Sequence, residues 1–346
     1  MNDEALNKFA DNLRATAGRM RANGAWLYEA LMLRMAEDRP MLELALLQRD
    51  PIPMRLFFAV HFLLLDRPER PLADYFRTLN DPPLPPQEAY PAFRDYCMAH
   101  RDELQAILGS RTVQTTTVER AACLLPALAR AAAHGEPMSI VELGCSAGLL
   151  LLFDEYRFDY GPAGATGRPD ARLTVKLPVT GSGFVAPPRL PRVARRIGVD
   201  LGPVDPGDPL EHRWIRANLF PEWLDQSMRL SAALDIRATY PLETVRGDAI
   251  ELLPALLDTI RGPLCVMHSG FMNYLTDAQR ERLESILREH SRRRLLHKVG
   301  LDVTMPEFSK GVHRLFLRHT IYREGVPQET LLGDTDTLGQ ALAWRA

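Results

Sequence analysis

The stretch Ser139-Ile140-Val141-Glu142-Leu143-Gly144-Cys145-Ser146-Ala147-Gly148-Leu149-Leu150 constrains the fold of this chain more than any other. A short apolar run rich in Ile and Val reads as a buried strand. It ends in an acid, passes through a turn of small residues, and opens into a second apolar run that reads as a helix. Such a unit presents free backbone N–H groups at the helix N-terminus, where partial positive charge collects. In an open α/β sheet that turn lies at the carboxyl end of the strand, where these sheets bind their ligands.

The spacing from Glu142 through Gly144 to Gly148 resembles the nucleotide loop of the Rossmann-like S-adenosylmethionine-dependent methyltransferases. Ser146 stands where that loop usually has its middle glycine, so Gly144–Gly148 also fits G-x-S-x-G, the nucleophile elbow of α/β-hydrolases. A purely structural tight turn is the third reading. Chain position favours the first. An elbow follows the middle strand of its sheet, whereas the first 135 residues here contain no convincing strand. Glu142 also has no role in an elbow.

At 346 residues the chain exceeds what one hydrophobic core normally serves, so two domains are expected. With 46% hydrophobic and 25% charged residues and a net charge of −2, it reads as an ordinary soluble protein. Nothing in that balance calls for nucleic acid or an anionic membrane. The acidic N-terminus Met1-Asn2-Asp3-Glu4 lacks a signal-peptide pattern. The longest apolar run, Leu56–Leu65, is about half of a membrane span. Cys97, Cys123, Cys145 and Cys265 have neither metal-like spacing nor the density of a disulfide scaffold. A cytoplasmic, reduced protein is expected, with oligomeric state left open.

Residues 1–133 read as helix after helix, with Leu6, Phe9, Ala10, Leu13 and Ala17 at helical spacing. Further helices are expected at Gln87–Leu108 and Val118–Ala133. From residue 134 strands alternate with helices, the mark of a parallel sheet. Strands are expected at Ser139–Leu143, Arg196–Asp200, Thr244–Gly247, Leu264–His268 and Leu295–Asp302, and helices at Pro221–Ile236, Ala249–Leu257 and Thr276–His290. Thr276 and Gln279 have the spacing of a capping box. Val312–Tyr322 and Glu329–Leu332 read as a closing antiparallel pair. The Gly- and Pro-rich insertion 161–191 reads as a loop or small hairpin with one β-like run, Leu173–Leu177.

Several residues are candidates for chemistry. Asp200 ends the second strand, where an acid can accept from ribose hydroxyls, although it lies 52 residues beyond Gly148 rather than about 20; the alternative is an Asx turn. Asp205 is the weaker candidate. Asp248, followed by Ala249, is a nucleotide ligand or simply a helix N-cap. His268 could serve as a general base, with Tyr274 or Asn273 orienting a substrate; a satisfied structural histidine is the plainer reading. Tyr156 and Tyr160 could wall a substrate pocket or pack the insertion. Arg120 could pair with a carboxylate or lie exposed on its helix. No metal constellation emerges. A hydrolase triad of Ser146, Asp248 and His297 or His313 is formally available.

Taken whole, the chain resembles the bacterial domain-of-unknown-function family 2332. The likeness rests on Phe57-Phe58-Ala59-Val60-His61, Gln114-Thr115 with Arg120, Glu142–Gly148 continuing into Asp154–Gly161, Gly198-Val199-Asp200-Leu201, Gly247-Asp248-Ala249 and His268-Ser269. Two residues depart from that pattern: Thr116 stands where Asn is expected in the family, and Leu151 sits in a helix that often carries Asn. The family is similar to class I methyltransferases in its sheet domain. The resemblance implies an α/β fold: a seven-stranded Rossmann-like sheet, mostly parallel with a C-terminal antiparallel hairpin, in residues 134–346, preceded by an all-α domain in 1–133. It also implies S-adenosylmethionine as cofactor, held by Glu142, Gly144, Cys145, Ser146, Gly148, Asp200, Asp248, Ala249 and Arg120. Methyl transfer to a small-molecule or polymer acceptor is the expected activity. The alternatives are a non-catalytic sensor or scaffold, and a hydrolase using Ser146.

Overall fold

The computed structural model describes residues 3–47, 52–114, 116–303 and 314–346. The chain divides into two compact units, Met1–Thr115 with Asp208–Ser231, and Thr116–Gly207 with Ala232–Ala346. Helices α1 (Asp3–Ala22), α2 (Trp26–Met35), α3 (Arg39–Ala45), α4 (Arg55–Asp66), α5 (Tyr90–Ala99) and α6 (Arg101–Ser110) lie in the first unit. Helix α7 (Arg120–Ala131) lies in the second, and α8 (Pro209–Ala217) returns to the first.

The first unit buries the α1 face predicted from periodicity, Leu6, Phe9, Ala10, Leu13 and Ala17. Its core is aromatic: Tyr28, Phe57, Phe58, Phe76 and Phe93 cluster with Trp214 and Phe220. The helix expected over Gln87–Leu108 is two, α5 and α6. His100 leaves helical geometry between them, and its ring nitrogens reach Glu69 at 3.0 Å and Glu103 at 3.1 Å. Helix α8 was not expected, because its polar residues mask the buried Trp214, Ile215 and Ala217. Its start was nevertheless written locally, with Asp208 accepting from Leu210 N–H at 2.8 Å and Pro209 in the first turn.

The second unit is built on strands β1 (Met138–Leu143), β2 (Arg157–Asp159), β3 (Ala165–Gly167), β4 (Thr174–Lys176), β5 (Val179–Thr180), β6 (Val193–Asp200), β7 (Glu243–Arg246), β8 (Leu264–Ser269), β9 (Leu296–Asp302), β10 (Arg314–Arg323), β11 (Val326–Asp336) and β12 (Leu342–Trp344). Helix α9 (Leu224–Thr239) belongs to the first unit through Ser231 and to the second from Ala232, while α10 (Ala249–Thr259) and α11 (Asp277–Ser291) lie in the second. The main sheet has the order β5-β12-β11-β10-β9-β8-β1-β6-β7. Strands β7, β6, β1, β8 and β9 are parallel, while β10 and β11 form the expected antiparallel pair. Among the described residues nine strands replace the expected seven, because β12 pairs with β11 and the insertion contributes β5 beside it. Elsewhere the insertion is more ordered than a loop: β3, β2 and β4 form a small separate sheet. Val312, the expected start of β10, lies outside the described residues.

Alternation along the strands separates the two faces of the sheet. Val141, Leu143, Ile197, Val199, Leu264 and Val266 pack with Ile250, Leu253 and Leu257 of α10 and Leu283, Ile286 and Leu287 of α11. Helix α7 packs on β8, β9 and β10. The capping box of α11 is present, with Thr276 Oγ1 accepting from Gln279 N–H. The run after the glycine turn is not an α-helix but a 3-10 segment, Leu149–Glu155, kinked at Leu152. No helix among the described residues is long and apolar enough to cross a membrane.

Candidate functional site

The chain runs from β1 outward to β6 and β7, then returns to β8 on the other flank of β1. Strand order therefore reverses between β1 and β8, the point at which open α/β sheets form a ligand crevice.

The glycine turn is held from the neighbouring strand. Gly144 and Cys145 N–H both donate to Val199 O, at 2.8 and 3.3 Å. Gly144 and Gly148 take φ of +72°, and Ser146 takes +49°, a left-handed backbone that non-glycine residues seldom adopt. Asp200 stabilises it: Oδ2 accepts from Ser146 N–H at 2.9 Å and Oδ1 from Gly202 N–H at 2.8 Å. The 52 intervening residues are absorbed by the 3-10 segment and the small sheet, and the register Leu143↔Val199 brings turn and acid together. Ser146 Oγ also lies 3.3 Å from Thr116 Oγ1.

Glu142 sits beneath the turn, 2% exposed. Burial, reinforced by the Asp200 carboxylate, raises its carboxyl well above the usual range, and Oε2 has no hydrogen-bond partner among the described residues. Opposite it, Gly198 makes room for Cys145: a Cβ there would lie 2.5 Å from its sulfur. Burial also pushes the Cys145 thiol up.

At the next strand end Asp248 is exposed and caps α10, Oδ1 accepting from Ile250 N–H at 2.8 Å, with Ala249 buried behind it. Gly247 N–H donates to Asp200 O, which ties the ends of β6 and β7 together. On the other flank Phe271 lies against Gly144, where an added Cβ would be 3.0 Å from its ring. Arg120, the first residue of α7, turns to the β8 end rather than to the glycine turn: Nη1 donates to Ser269 Oγ at 3.4 Å and Nη2 to Thr337 O at 2.7 Å. Burial lowers its pKa, and Nε is unpartnered among the described residues.

His268 is 4% exposed and its Nδ1 lies 2.7 Å from Asp302 Oδ2, an acid the sequence reading did not single out. The available signal was position, since Asp302 ends a strand as Asp200 does. Asp302 Oδ1 accepts from Met272 N–H at 3.3 Å, which fixes the turn after β8. A cavity of about 350 Å³ opens beside this pair.

Other candidates are placed elsewhere. Tyr156 and Tyr160 are buried, their hydroxyls donating to Leu149 O at 2.9 Å and Ala122 O at 2.8 Å. Both polar ends are thus bonded to backbone, and both rings are buried. Tyr274 is 86% exposed and Asn273 is exposed beside it. Neither is fixed toward His268. Asp205 accepts from Gly207 N–H at 3.0 Å in its own turn. His297 is no partner for Ser146: it is buried among the strands with Nδ1 3.0 Å from His319 Nε2. His313 and Thr115 lie outside the described residues.

No curated protein matches this chain. The model of a family described as an uncharacterized protein conserved in bacteria, DUF2332, matches residues 10–344, and the chain belongs to that family.

Proposed function

We propose that this chain binds S-adenosylmethionine at the carboxyl edge of its sheet and transfers the methyl group to a small-molecule acceptor. One observation carries the reading: the glycine turn after β1, braced by Asp200, stands at the reversal of strand order between β1 and β8. The residues around it fit the cofactor. Gly144 is exposed with no side chain in the way. Each oxygen of the partly exposed Asp200 accepts one backbone N–H, which leaves a lone pair on each for ribose hydroxyls. Asp248 keeps Oδ2 beyond its capping bond. Among the described residues no carboxylate lies within ion-pair distance of Arg120, so a carboxylate from the ligand would compensate its buried charge.

S-adenosylmethionine supplies a methyl group already activated for transfer. The chain's part is to align the acceptor, which can provide several of the roughly 7–11 kcal/mol available from proximity. A second reading, a sensor that binds without turnover, draws support from Ser146 standing where the methyltransferase loop usually has its middle glycine.

Titration calorimetry of the full chain with S-adenosylmethionine and S-adenosylhomocysteine tests the proposal. Binding is expected, and Gly144→Val should abolish it by placing a branched side chain at positive φ against Phe271. Failure of both ligands to bind at millimolar concentration removes the cofactor assignment. Binding without methyl transfer across a broad panel of acceptors selects the sensor.

A further inference from the structure

The cavity on the α11 face of the sheet has charged walls whose charges are paired. Arg280 donates to Met272 O at 2.9 Å and to Asp277. Lys298 is paired with Glu284, and Arg318 with Glu329 at 3.3 Å. His268 is the exception. Asp302 Oδ2 lies 2.7 Å from its buried Nδ1 without hydrogen-bond alignment, and its buried Nε2 also has no hydrogen-bond partner among the described residues. Buried polar atoms in native proteins are nearly always satisfied, so such an atom at a cavity points to a group that arrives with a ligand. The ring is laid across β9 at Gly300, its register partner, where a Cβ would lie 2.5 Å from the imidazole Cε1.

We infer that His268, oriented by Asp302, is the general base for an uncharged acceptor that carries an O–H group and occupies this cavity. The volume of about 350 Å³ lies at the small end of small-molecule sites. The paired walls offer no net charge for an ionic ligand. In the step, the acceptor O–H proton passes to Nε2 as the oxygen lone pair takes the methyl carbon. The electrons of the broken C–S bond return to sulfur, and Asp302 balances the imidazolium. His268 later releases the proton to water. Asp302 is a positioning residue, since it acts only through the ring. Phe271 links the glycine turn to this histidine, with its ring against Gly144 and its centroid 6.5 Å from that of His268.

This inference rests on the methyltransferase reading for its co-reactant, but its test does not. Long-range proton–nitrogen NMR of the full chain labelled with 15N-histidine, at pH 8, reports the tautomer of each ring, with His268 assigned by loss of its signal in His268→Asn. The expected result is a proton on Nδ1 and a bare Nε2, with Asp302→Asn redistributing the proton toward Nε2. A proton held on Nε2 overturns the assignment. S-adenosylmethionine calorimetry on the wild type and His268→Asn keeps the two readings apart. Failure of the wild type to bind, with a bare Nε2, removes the cofactor and leaves the base; binding with a protonated Nε2 removes the base alone.

Discussion

Asp200 holds Ser146 in a left-handed backbone: the Ser146 N–H donates to Asp200 Oδ2 at 2.9 Å while Ser146 sits at φ +49°. An acid on one strand thereby dictates the shape of the turn on its neighbour. Asp200→Ala removes the carboxylate that accepts from the Ser146 and Gly202 N–H groups, which should cost about 1–3 kcal/mol by denaturant unfolding. Calorimetry should show S-adenosylmethionine binding weakened about 10- to 100-fold, the equivalent of a lost charge-assisted contact. Asp205→Ala, which loses only a bond within its own turn, should do little.

Gly148→Ala combines two penalties. Its φ of +72° disfavours any side chain by about 1–2 kcal/mol, and the new Cβ would lie 2.2 Å from Leu242 Cδ2. Leu242 can swing aside, so Gly148→Ala with Leu242→Ala should recover the steric part and retain the backbone part. Thermal unfolding of the single and double variants measures both. A fully recovered double variant would show that backbone strain at Gly148 is absent.

Acid should destabilise both units. Burial lowers His61 in the first unit, and His297 and His319 in the second, to about 4. A histidine with a depressed folded pKa binds more protons when unfolded, so the stability it protects is complete above about pH 6.5 and is lost as pH falls toward about 4. For the fully buried His61 the loss approaches about 3 kcal/mol. Glu142 works in the opposite direction: its raised pKa means that stability falls as pH rises above the unfolded carboxyl range. Denaturant unfolding at pH 7 and pH 5 should therefore show lower stability at pH 5, and His61→Gln should flatten the difference in the first unit.

Thr276→Ala removes the acceptor for Gln279 N–H at the start of α11 and should cost about 1 kcal/mol of stability. Helix α11 covers the sheet through Leu283, Ile286 and Leu287, so the loss should register in global unfolding rather than as local fraying alone. A Thr276→Ser variant keeps the hydroxyl and should stay close to the wild type in the same measurement.

Local chemistry was legible in the amino-acid sequence. The strand cores near Ser139–Leu143, Arg196–Asp200 and Leu264–His268, the glycine turn after the first of them, the acid at the end of β6 and the Thr276–Gln279 capping box were each expected from a few neighbouring residues. Period-two alternation, capping and glycine conformation act over one or two turns of chain, so they can be read in order. What the tertiary structure alone decided depends on register between distant segments. β5 and β12 join because residues about 160 apart in the chain align at the sheet edge. Tyr156 and Tyr160, aromatic enough to suggest a pocket wall, are spent on backbone carbonyls that only folding brings to them. The pairing of His268 with Asp302 follows from the register of β8 on β9, which sets the two side chains on one face, a step apart. Period-two patterning tells which face a residue prefers; long-range pairing determines what it meets there.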